Sequence, residues 1–178
     1  INEILSDREK DMYIKSTSVN TTSEKSSINI HKSIKSKTLD TVINQHQIEP
    51  NILKIDVHGS EGPLIKGAQK TLINSVNFIL LEVHSPSYLD KYSPGFTREM
   101  IINDVIDLGF DCYAIGPFRT LNTDEGRNFV KHKKISKIKI SKDSLEKIFF
   151  DLSFGSLILA VKKGFDINKF DCFINNRH

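Results

Sequence analysis

Asn51 to His84 reads NILKIDVHGSEGPLIKGAQKTLINSVNFILLEVH, and this stretch decides the fold. Ile52–Val57 is a short β-branched run bounded by Pro50 and Gly59, and Phe78–Val83 is a second. Both fit strands covered on two faces. Between them lies a helix-compatible segment long enough for a right-handed parallel crossover and too long for a hairpin. Side chains two apart share a face, so Asp56 lies with Lys54 and His58, and Glu82 with His84. Each strand therefore ends in an acid and a histidine. Ligands of open parallel sheets bind beyond the carboxyl ends of the strands, where these four residues fall.

Working outward towards the N-terminus, Thr38 is a helix cap for Leu39–Gln45, whose Leu39, Val42 and Ile43 form a narrow apolar face. Before it, residues 16–37 are rich in Ser, Thr, Asn and Lys, which predicts a flexible polar loop or a weak hairpin. Met12–Lys15 is a short strand candidate, and Ile1–Asp7 reads as the last residues of a strand. In the turn HGSEG, the glycines allow unusual backbone angles. Glu61 falls at the helix entry, where the dipole favours a carboxylate, so it reads as a helix-start residue and not as a catalyst. Leu64, Ile65, Ala68, Leu72 and Ile73 form the sheet-facing side of that helix, and Gly67 permits a close approach or a bend.

Beyond His84, the segment SPSYLDKYSPGF reads as a loop overhanging the strand ends, with Tyr88 and Tyr92 able to line an acceptor pocket. Thr97 caps a helix running to Leu108, and Gly109 stops it. Phe110–Ile115 and Gly155–Val161 are further strands, Ile135–Ile140 is an ambiguous one and Lys142–Phe149 a short helix. Residues 164–178 form a tail without a clear destination.

TLDTVI (Thr38–Ile43), LKIDVHGSEGPLIKGAQKTL (Leu53–Leu72), ILLEVH (Ile79–His84) and SLILAVKK (Ser156–Lys163), in this order, resemble the C-terminal half of FkbM-family methyltransferases. The resemblance implies an α/β fold: a Rossmann-like, class I methyltransferase sheet, mostly parallel, with an antiparallel strand at the edge. It also implies S-adenosylmethionine as cofactor and O-methylation of a small-molecule or glycan acceptor: a hydroxyl of a sugar, glycan or secondary metabolite. Such enzymes open with a strand and a Gly-rich turn, and the first glycine here is Gly59. The expectation is therefore one truncated domain over residues 1–178, with the N-terminal strands missing, an open sheet edge prone to self-association and weak cofactor binding.

The composition is that of a globular domain: 178 residues, 38% hydrophobic and 26% charged. No apolar run approaches the ~20 residues of a membrane span, and the N-terminus lacks the core of a signal peptide, so a cytoplasmic protein is expected. Cys112 and Cys172 lack zinc-site spacing and read as free thiols. The net charge of +3 comes largely from the lysine-rich run Lys131–Lys142. Without interleaved aromatics or a nucleic-acid motif, that run reads as a solvated surface segment.

The expected chemistry needs little from the protein. A sulfonium methyl is already activated, so the site must align the acceptor and take its proton. Asp56, His58, Glu82 and His84 are the candidate catalytic residues, with Asp56 orienting His58 as base. At the position of His58 the family pattern more often has Glu. The same four residues also admit a divalent metal, and with it a hydrolase or a metal-dependent methyltransferase. A noncatalytic binding remnant is the third possibility.

Overall fold

The computed structural model describes residues 4–16, 30–115, 137–142 and 156–165. A three-stranded sheet holds β1 (Ile4–Leu5), β2 (Lys10–Ser16) and β3 (Ile30–Lys37) in the order β1-β3-β2. A five-stranded sheet follows, with β4 (Ile52–Ile55), β5 (Phe78–Val83), β6 (Phe110–Ile115), β7 (Lys137–Ile140) and β8 (Ser156–Lys162). Its order is β4-β5-β8-β6-β7.

The crossover between β4 and β5 is helical and the pair is parallel, with Ile52 opposite Phe78 and Ile55 opposite Leu81. The remaining pairs are all antiparallel: β5 with β8, β8 with β6, and β6 with β7. The expected mostly parallel sheet is thus corrected to a mixed α/β sheet with one parallel pair. The cause is topological. The late strand β8 inserts between β5 and β6 and runs against both, and the β6–β7 pair adds a third reversed contact.

Residues 30–37 depart from the flexible-loop reading and agree with the hairpin alternative, since they form a strand antiparallel to β2. Lys10 pairs with Ser36 and Ser16 with Ile30, so two polar segments satisfy each other's backbone groups across an antiparallel ladder. Ser36 is fully buried, and its hydroxyl donates to the Arg8 carbonyl at 3.0 Å while accepting from Lys10 N at 3.2 Å. Residues 17–29 of the expected loop, the helix over 142–149 beyond Lys142, and the tail beyond Phe165 lie outside the described residues.

The crossover is two short helices, α2 (Glu61–Lys66) and α3 (Gln69–Asn74), broken at Gly67. A Cβ on Gly67 would press into the Ser6 carbonyl, so the close approach predicted for this glycine joins the helix break to the N-terminal segment. The free amides starting α3 are met by Asp40, whose carboxylate accepts from Lys70 N at 3.0 Å, Thr71 N at 2.8 Å and Thr71 Oγ1 at 2.7 Å. Asp40 belongs to α1 (Leu39–His46), capped as expected by Thr38 accepting from Thr41 N. A further helix, α5 (Arg98–Asp107), is capped by Thr97 in the same way.

The core lies on one face of the larger sheet. Ile79, Leu81 and Val83 alternate along β5 and meet Ile65 and Leu72 of the crossover and Ile101, Ile102 and Val105 of α5. The opposite face carries a smaller group, Phe78, Leu159 and Val161 with Tyr113 against it. The prediction that both strands are covered on two faces therefore fails for β4. Ile52 is 59% exposed, because β4 has no outer neighbour among the described residues. No helix among the described residues is long and apolar enough to cross a membrane.

Candidate functional site

β4 stops at Ile55, which leaves Asp56 as part of the turn beyond its carboxyl end. Lys54 Nζ donates to Asp56 Oδ2 at 3.1 Å, and this bond holds the Asp56 carboxyl below the usual carboxylate range. The chain then turns through His58 at φ 50° and Gly59 at φ 100°. The second angle favours glycine, and a Cβ there would also meet the Tyr88 carbonyl. His58, with 67% of its side chain exposed, stands at the rim with Nδ1 3.9 Å from Asp56 Oδ1.

The end of β5 is built differently. His84 is only 4% exposed, and its ring lies among three carboxylates. Nδ1 is 2.8 Å from Glu61 Oε1, and Nε2 is 3.7 Å from Glu82 Oε1 and 3.9 Å from Asp56 Oδ1. The Nδ1–Glu61 contact is a buried hydrogen bond in which the imidazole donates in the Nδ1-protonated tautomer. The same Glu61 oxygen accepts from Gly59 N at 3.0 Å. Buried Arg98 donates from Nε to the His84 carbonyl at 2.9 Å, and burial lowers the guanidinium pKa. The imidazole is thus fixed through both its ring and its backbone.

All four residues expected at the site are brought together. Tyr88 joins them, its ring centroid 5.5 Å from that of His84 and 6.5 Å from that of His58. Tyr92 stands one layer out, 6.2 Å from Tyr88. Both tyrosines are about half exposed and sit on a helix, α4 (Pro86–Tyr92), where a loop was expected. Proline at the first turn suits a helix start, and Leu89 anchors the helix by full burial.

Sequence reasoning missed Glu61. It does stand at the helix entry, but it is fully buried and holds His84 instead of capping helix amides. Its only local signal is its place two residues after Gly59, and its partner lies 23 residues away in the chain.

The chemistry this arrangement permits follows from its unmet groups. His84 Nε2, Asp56 Oδ1 and Glu61 Oε2 are buried and make no hydrogen bond among the described residues. Buried polar atoms are costly when unpartnered, so the first two, which face each other at the strand ends, are the groups there with unused hydrogen-bonding or ligating capacity. Gly59 and Gly62 are the glycines at the strand-to-helix turn. Cβ atoms there would strike Tyr88 and the Phe96 ring, so internal packing already takes that space. Cys112 is a buried thiol, pushed up to about 12 by burial, and stands apart from this chemistry.

No curated protein and no solved structure matches the chain. The family profile described as the methyltransferase FkbM domain matches residues 3–112, which span the α2–α3 crossover, the acid–histidine strand ends, Glu61 and both tyrosines. With more than half of its 178 residues in that match, the chain belongs to the FkbM methyltransferase domain family.

Proposed function

We propose that this methyltransferase uses S-adenosylmethionine as donor and methylates a hydroxyl of a sugar, glycan or secondary metabolite. The observation that carries the reading is the cluster Asp56, His58, Glu82 and His84 at the carboxyl ends of adjacent parallel strands, in a chain of this family. Asp56 and His84 bind the acceptor hydroxyl and promote loss of its proton, with Glu61 positioning His84. Tyr88 and Tyr92 flank the acceptor, their half-exposed rings suiting the apolar face of a sugar. The larger sheet is read as part of a Rossmann-like class I methyltransferase sheet, and the donor is assigned from the family. The proposed compartment is the cytoplasm, in keeping with the unpaired thiol of Cys112.

The test is transfer of labelled methyl from S-adenosylmethionine to a panel of hydroxylated acceptors, comparing the protein with its His84→Gln variant. Loss of a proton-handling group lowers the rate by about 10²–10⁴-fold. Equal incorporation by both proteins would remove the cluster from the mechanism.

A further inference from the structure

We propose that Asp56, His58 and His84 form a binding site for a divalent first-row transition cation of the zinc class. One ligand atom from each residue lies within 4.8 Å of the other two. Asp56 Oδ1 is 3.9 Å from both His58 Nδ1 and His84 Nε2. Zinc-class ligands lie about 2.0–2.2 Å from the ion, hence roughly 3–3.5 Å from one another. Small inward movements therefore close the set. His58 can make the largest of them, because it is exposed and next to Gly59.

Three further observations point to a cation here. The carboxylate of Asp56 commits Oδ2 to Lys54 and leaves Oδ1 buried without a hydrogen bond. His84 Nε2 is buried, lacks a hydrogen-bond partner and faces Asp56. Glu61 holds the other ring nitrogen of His84 at 2.8 Å, the carboxylate–histidine arrangement that fixes the tautomer and orientation of a metal-ligating imidazole.

Electrostatics agree. Glu61, Glu82 and Asp56 all place an oxygen within 4 Å of the His84 ring nitrogens, so a positive ion offsets concentrated negative charge. Two imidazoles and one carboxylate favour zinc, cobalt, nickel or iron(II) over magnesium or calcium, which prefer oxygen alone. Three protein ligands leave positions open for water or an acceptor oxygen.

The site does not depend on the reaction, so it is tested by binding. Cobalt(II) titrated into the metal-free 178-residue protein is followed by visible absorption, with zinc as displacing ion and magnesium as control. One equivalent should bind, zinc should displace it and excess magnesium should not. His58→Gly removes one ligand and suits the left-handed backbone, so its fold is retained, as circular dichroism will check. It should weaken binding at least about tenfold, and isosteric Glu61→Gln by about 10–100-fold through loss of imidazole orientation. His46→Ala, on the surface helix α1, should change nothing. An absent cobalt spectrum, or His58→Gly binding as the wild type does, overturns the site. Cation binding in a protein that transfers no methyl group from S-adenosylmethionine to the hydroxylated acceptors leaves the site standing and removes the proposed donor and acceptor instead.

Discussion

The ends of β4 and β5 carry the same two residue types at the same spacing, yet they are physically unlike. At β5, Glu82 and His84 have 13% and 6% of their side chains exposed. At β4, Asp56 has 23% and His58 67% exposed. Position in the sheet separates them: β5 runs between β4 and β8, while β4 is at the edge among the described residues. One acid–histidine pair is thereby held in place by the interior. The other stays adjustable at the rim, and a binding site needs both kinds.

The contrast can be broken by mutation, most severely at Glu61. Glu61→Ala strands a buried imidazole among the remaining carboxylates and should cost about 3–5 kcal/mol in urea unfolding, whereas Asp56→Ala should cost less than about 1 kcal/mol. Equal losses would mean that the two strand ends are equally buried in solution. The strands themselves offer a second comparison. Leu81→Ala on β5 empties fully buried space and should lose about 2–5 kcal/mol, against under about 1 kcal/mol for Ile52→Ala on β4. If Ile52→Ala proves as damaging, another chain or segment covers the β4 edge.

A smaller effect is expected where the turn meets the helices. A Cβ in Gly62→Ala would run into the Phe96 ring, and displacing that ring should cost about 1–3 kcal/mol in a thermal melt. A melting temperature unchanged from wild type would show that Phe96 moves freely. The smallest effect should come from Lys54→Met. Asp56 has a lowered pKa in the fold, mainly because Lys54 hydrogen-bonds to it. The stabilisation is therefore fully present above the unfolded carboxyl value near ~3.9 and is lost as pH falls through the lower folded value. With Lys54 64% exposed, the difference between wild type and variant should stay below about 1 kcal/mol at neutral pH and vanish in acid. A difference that persists in acid would point to packing of the lysine stem instead.

Much of this arrangement was legible in the residues. The β-branched runs, the capping threonines Thr38 and Thr97, and the glycine at position 67 are local signals, and each marks the element or contact expected of it. Acid and histidine residues where the apolar runs end likewise draw attention to Asp56, His58, Glu82 and His84, which do lie close together. Asp56, His58 and His84 nevertheless fall in the turns beyond the strands, where strand periodicity no longer sets which side chains share a face. Less legible were the strand over Ile30–Lys37, whose ladder partner β2 begins at Lys10, and helix α4, which depends on burying Leu89.

By itself, then, the sequence determined which segments are strands and helices around the crossover and which polar residues gather at their ends, since propensity, capping and periodicity act over a few residues. Only the tertiary structure decided that the larger sheet has a single parallel pair, that Glu61 serves His84, and that one histidine is buried while the other is exposed. Those outcomes depend on where β8 inserts and on which strand lies at the edge. Such contacts join residues far apart in the chain, and no local pattern encodes them.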